Sequence, residues 1–312
     1  MDVNKINVAD LLKSIAGGRT IDWVLNPGNA GDSLIAAGTV QLLTDHNIPF
    51  RSINNYDHYD STGRILCYSG GGCFVPYYSF GRDFLSKHLE RADRIILLPH
   101  TIDGNEDFLA SLGSNVTLIC REAASYMHCR RVTKVDVYAA DDLAFSLDAR
   151  KFLARRARWL ARLMEMFGAQ SANPLSHRDP GISVKMQEPY RNFLTNAKVT
   201  KTLTVWREDV ERSEQRPVNA ENDIANIFGI ESSYGLLAML TSAEYFLRAV
   251  DLFEAIRTDR LHVAVAGAIL GKDVEIFPNS YFKNRAMYEF SLRRYPNLRF
   301  VEWPKKHRTS DA

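Results

Sequence analysis

Cysteine is scarce: four in 312 residues, Cys67, Cys73, Cys120 and Cys129, with no C-x-x-C pair and no histidine-bearing zinc spacing. That excludes a small disulfide-built domain and a zinc ribbon, and it reads as buried thiols in a reducing compartment. An excess of one charge is missing too. Lys and Arg number 39 against 37 Asp and Glu, a net +2. The balance excludes a strongly basic nucleic-acid binder and an acidic disordered tail, so any cationic site must be local. No apolar run approaches the roughly 18 residues of a membrane span; the longest, Leu261–Leu270, is broken by His262. The opening residues, MDVNKINVADLLKSIAGG, lack the apolar stretch of a signal peptide. There is no fixed-period repeat and no low-complexity segment. A cytoplasmic protein that binds no nucleic acid is expected.

What is present is length and alternation. At about 150 residues per domain, the chain suggests two domains, and 46% hydrophobic residues suffice for a large core. Short β-rich runs at 21–25, 64–69, 94–98, 115–120 and 135–138 alternate with helical stretches at 33–45, 83–91 and 122–129. Pro99 should stop the third strand. After a Ser-, Asn- and Pro-containing linker at 170–179, strands at 201–205, 253–258 and 274–277 alternate with helices at 242–250 and 261–270. Continuous apolar strands separated by helices predict parallel sheets covered on both faces. The expected fold is α/β: two Rossmann-like domains, 1–168 and 169–312, facing a central cleft that holds ligands at the carboxyl ends of strands.

Residues 150–167 predict a basic helix. Lys151, Arg155, Arg158 and Arg162 share one face, and Leu153, Ala157, Leu160, Met164 and Phe167 line another. The pattern suits peripheral contact with an anionic membrane surface. It suits better an interdomain helix that packs its apolar stripe and shows its arginines to water.

The most informative segment is RTDRLHVAVAGAIL at 257–270. A strand ends near Thr258 and a helix opens near His262, which brings Arg260, His262 and the free amides of a helix start to one corner. Such a corner favours anions. Arg121 likewise follows a strand and precedes a helix; Glu122 is its nearest candidate partner. In NPGNAGDSLI, at 26–35, two glycines permit close approach to a ligand and Asp32 can cap the next helix. Asn29 and Gly31 of this loop, Gly71 and Gly72 of the SGGG run, and His100 of LPHTID are candidate substrate contacts. Lys283 in YFKNR is another, though it and Arg285 read equally as surface charges. No constellation of metal ligands is evident, and no cofactor is expected.

Taken in order, NPGNAGDSLI, SGGG, LPHTID, CREAAS, AADDLAF, TVWRED and DRLHVAVAGAILGK…NSYFKNR resemble the polysaccharide pyruvyl transferase family over about residues 26–285. The resemblance implies a GT-B-like pair of domains. It also implies transfer of the enolpyruvyl unit of phosphoenolpyruvate to a sugar of an exopolysaccharide or other cell-surface glycan precursor, usually closing a pyruvate ketal and releasing phosphate. It points to Arg121, Arg260 and His262 for phosphoenolpyruvate and to Asp32 near the acceptor sugar, which in such pathways is often lipid-linked. The chain departs from the family at Asp259, where many relatives carry Ser or Thr, and at Ala140-Asp141-Asp142, where Pro-Asp is common. The roles of Asp141 and Asp142 stay open. On this reading His262 is the acid that protonates the donor's methylene carbon, since histidine holds a proton near neutrality, and Asp32 accepts the attacking hydroxyl's proton. Two alternatives remain: a GT-B-type glycosyltransferase using a nucleotide sugar, and a lipid-associated scaffold that works through the basic helix.

Overall fold

The computed structural model describes residues 3–54, 59–154, 180–197, 200–217 and 223–304. The linker at 170–179 and all but the first turn of the basic helix lie outside the described residues. Among those described, no helix is long and apolar enough to cross a membrane.

The first half runs α1 (Val8–Ala16), β1 (Ile21–Val24), α2 (Ala30–Asp45), β2 (Phe50–Ile53), β3 (Ile65–Tyr68), β4 (Gly71–Phe74), α3 (Phe80–His88), β5 (Arg94–Ile102), α4 (Glu106–Ala110), β6 (Val116–Cys120), α5 (Ala123–Val132) and β7 (Asp136–Ala139). The second runs α6 (Pro180–Ala197), β8 (Thr202–Val205), α7 (Ile224–Ile227), α8 (Leu236–Asp251), β9 (Ala255–Thr258), α9 (Leu261–Leu270), β10 (Asp273–Ile276), α10 (Lys283–Phe290) and β11 (Leu298–Phe300). Every strand pairing is parallel. The first sheet has the order β2-β1-β3-β5-β6-β7, with β4 on β5; the second has the order β11-β10-β9-β8. In the first, the winding direction reverses between β1 and β3. Loops leaving those two strands diverge to opposite faces and open a crevice.

One expectation is corrected by the pairing. Pro99 does not end its strand: β5 continues to Ile102, and its register against β6 shifts between Leu97 and His100. A proline has no N–H to give a ladder, so the irregularity absorbs it. The glycine run joins the sheet, with Gly71 and Phe74 pairing with His100 and Ile102.

The largest apolar cluster is continuous between the sheets. It runs from Trp23 and Ile96 through Leu34 and Val40 of α2 and Met239 and Leu247 of α8 to Ile256 and Val274. Helix α2 is buried on nearly every face, lying between the first sheet and α8. This shared core fixes the position of the strand ends of one sheet relative to those of the other.

Candidate active site

On the first sheet's side, the chain leaves β1 through 25–29 and enters α2. Asn29, not Asp32, is the N-cap: its Oδ1 accepts the Gly31 N–H at 2.8 Å, while Asp32 Oδ2 accepts the Asn29 N–H at 3.1 Å. The helix therefore starts three residues earlier than expected, and Asp32 closes a capping box from its third position. The other Asp32 oxygen accepts from Asn26 Nδ2 at 2.7 Å. Burial pushes the Asp32 carboxyl above its ordinary range, against the opposing charge of His262. The absence of a side chain at Gly31 makes room for the histidine, because a Cβ there would lie 2.5 Å from His262 Nδ1.

Three arginines leave the carboxyl ends of three parallel strands. Arg121 directly follows β6. Its Nε donates to Thr101 Oγ1 at 2.9 Å and its Nη1 to Asp142 at 2.8 Å, while Nη2 lies 3.2 Å from where a Cβ on Gly72 would be. Glu122 is not its partner; that carboxylate caps α5 by accepting the Ser125 N–H at 2.9 Å. Arg207 lies two residues past β8 and bonds Asp209 at 2.8 and 3.0 Å and Glu211 at 2.6 Å. Arg260 lies two residues past β9. Its Nη1 donates to Asp209 at 2.6 Å, and Nε and Nη2 together grip Asp223. Lys283, at the start of α10, is paired with Glu211. Burial brings its ammonium down to about 8 in spite of Glu211, and Arg207 and Arg121 act in the same direction. All four cations are buried, and each is matched by a carboxylate, as removal from water requires.

Helix α9 opens at Leu261 with Arg260 as N-cap and no capping side chain. Its first-turn residues Leu261, His262 and Val263 line one pocket of about 470 Å³ together with Asn29, Asp32, Gly72, Arg121, Arg207, Arg260 and Lys283. The pocket thus has an uncapped helix start, four buried cations and a half-buried imidazole, set for an anion with more than one charged group. Among the described residues, no group of three or more His, Cys, Asp or Glu side chains is placed to hold a metal ion.

A family model, described as Polysaccharide pyruvyl transferase, matches residues 29–281. The chain belongs to this family. It is also 23% identical, over 89% of its length and 87% of the relative's, to the Bacillus subtilis (strain 168) protein described as "Putative pyruvyl transferase EpsO". A crystal structure of a functionally uncharacterized protein from Klebsiella pneumoniae subsp. pneumoniae NTUH-K2044 superposes with a TM-score of 0.70 at 25% identity, covering 94% of this chain and 96% of that one. Of the two transferase readings, membership supports the pyruvyl transferase.

Most of the expected site residues meet in the pocket, and three do not line it. Gly31 and Gly71 stand behind it, against His262 and Asn26 respectively. His100 is sealed inside β5 with Nδ1 3.2 Å from the Leu98 carbonyl. Burial, with the nearby Arg121 charge, pushes it down to about 3 and keeps it neutral. The reason is the continuation of β5 past Pro99: His100 is a strand residue, not a loop residue. Lys283 and Arg285 part ways, the first in the pocket and the second exposed and paired with Glu302. Asp141 is away from the pocket, bonded to Lys5, Ser291 and Arg294. The sequence reasoning missed Arg207, although its signal was legible: it stands two residues past a strand, as Arg260 does.

Proposed function

We propose that this pyruvyl transferase takes phosphoenolpyruvate as donor and a sugar of a glycan precursor as acceptor, closing a pyruvate ketal and releasing phosphate. The observation that carries the reading is the convergence of Arg121, Arg207, Arg260 and Lys283 on the pocket that also contains His262 and the uncapped start of α9. Phosphoenolpyruvate bears a carboxylate and a phosphate close together. Two cationic groups and a set of backbone donors are the least that would hold it. Because Asp209 and Asp223 already occupy the Arg260 fork, a donor anion binds by exchange with a carboxylate, and Arg121 Nη2 and the α9 amides offer first contacts.

In the proposed reaction, His262 gives a proton to the methylene carbon, which becomes a methyl group, and positive charge develops at the neighbouring carbon. A sugar hydroxyl attacks that carbon and its proton passes to Asp32, whose affinity for protons burial raises. The bond to the phosphate oxygen breaks, phosphate departs, and a second hydroxyl closes the ring with loss of its proton. The site is assembled from both sheets, in keeping with two Rossmann-like units, 1–168 and 169–312, in a GT-B-like arrangement.

The test is thermal stability with millimolar phosphoenolpyruvate beside a nucleotide-sugar panel, followed by phosphate release with candidate acceptors. A ligand at 100 times its Kd stabilises by about 2.7 kcal/mol. Phosphoenolpyruvate should raise Tm, Arg260→Ala should remove that response, and His262→Ala should retain it while losing turnover. A response to a nucleotide sugar and none to phosphoenolpyruvate would replace this reading with the glycosyltransferase.

A further inference from the structure

Asp142 joins the two sides of the pocket. It follows β7, is fully buried, and has every bond directed: Oδ1 accepts the Ala144 N–H at 2.9 Å, and Oδ2 accepts Arg121 Nη1 at 2.8 Å and faces His262 Nε2 at 3.4 Å. His262 comes from the other sheet's helix, α9. The opposite edge of its ring, at Nδ1, lies over Gly31, one residue from Asp32. The imidazole therefore stands between two carboxyls of different character. Burial pushes Asp32 up, whereas in Asp142 burial is outweighed by His262 and Arg121, which hold the carboxyl well below its usual range. Asp142 is a permanent anion; Asp32 is the one able to trade protons.

We infer that Asp142 is the positioning residue for His262: it retains the proton on Nε2, so the proton exchanged with the ligand travels through Nδ1. This inference rests on the proposed role of His262. The balance is simple. The imidazolium gives its Nδ1 proton to the methylene carbon, and the ring is left neutral with Nε2–H still donating to Asp142. The hydroxyl's proton reaches Asp32 and from there can restore Nδ1.

Asp142→Asn keeps the side-chain volume and an acceptor for Arg121 but removes the charge. Its kcat should fall by about 10²-fold, the lower end of general acid–base effects, with the KM for phosphoenolpyruvate within about threefold of wild type. Nitrogen-15 NMR of histidine-labelled protein without substrate should show neutral His262 as the Nε2–H tautomer. In Asp142→Asn it should show mixed tautomers. A wild-type ring carrying Nδ1–H, or a variant with unchanged tautomer, overturns the inference. A variant with lower Tm and higher KM but an unchanged His262 tautomer makes Asp142 a structural partner of Arg121 only, and overturns it equally. Because the NMR readout needs no turnover, failure of the phosphoenolpyruvate reading would be seen separately.

Discussion

Asp259 lies behind the arginines instead of among the pocket residues. Its Oδ1 accepts the Arg207 N–H at 2.7 Å, its Oδ2 has no partner among the described residues, and burial pushes its carboxyl up to about 6 despite Arg207 and Arg260. The sign follows from linkage. Between about pH 4 and 6 the folded chain holds a proton that the unfolded chain has released, so this group's contribution to stability falls as pH rises through that window. Above about 6 the full cost applies, on the order of 3 kcal/mol. Asp259→Asn keeps the acceptor and removes the charge. Denaturant melts at pH 4.5 and 7.5 should show the variant gaining on wild type at the higher pH; equal differences at both would mean that Asp259 is ionised throughout. At this scale Arg121, Arg260 and His262 were legible from sequence because each stands at a strand-to-helix corner. His100 was misplaced because a proline signals an end only where the ladder cannot bend around it.

Among the elements, the first turn of α2 decides the site's geometry. Capping by Asn29 places Asp32 in the pocket wall, and the bare Cα of Gly31 accommodates the imidazole. Gly31→Ala should therefore displace His262, and because the new methyl would press on the His262 Cβ as well as its ring, overpacking at about 1–3 kcal/mol should outweigh the helix-propensity gain of up to about 1 kcal/mol. A kcat loss of at least tenfold with a lowered Tm is expected, read from phosphate release beside a thermal melt. Full activity would mean that the ring has room to move. The elements themselves were legible wherever strands were continuous and apolar, and α9 was read with the limits the structure has. Strands β2, β4 and β11 and helices α1, α4, α6, α7 and α10 escaped the reading. FRSI and LRF are too short and too charged for a pattern, and only pairing with a neighbour makes them strands.

Over the whole molecule, Asp141 is the far-side tie. It accepts from Lys5 before α1 and from Ser291 and Arg294 after α10, each at 2.6 Å. The segments carrying Lys5 and residues 291–294 are thereby held beside the loop that carries Asp142. The bonds are partly exposed, so Asp141→Ala should cost about 1–2 kcal/mol, between a surface pair and a hydrogen bond to a charged group. Its KM for the donor should stay near wild type. A large KM change without a stability change would place Asp141 in the site after all.

From sequence alone came the α/β class, the strand-end corners with their basic residues, and the family resemblance, because hydrophobic periodicity and local spacing are properties of consecutive residues. Partnership is not such a property. The pairing of Arg121 with Asp142 instead of Glu122 and the burial of His100 depend on how strands pair within the first sheet, and the meeting of Arg207, Lys283 and His262 with Arg121 and Asp32 in one pocket depends on how the two sheets dock over a shared core. Only strand pairing and docking determine which groups are removed from water together, and so which charge must answer which.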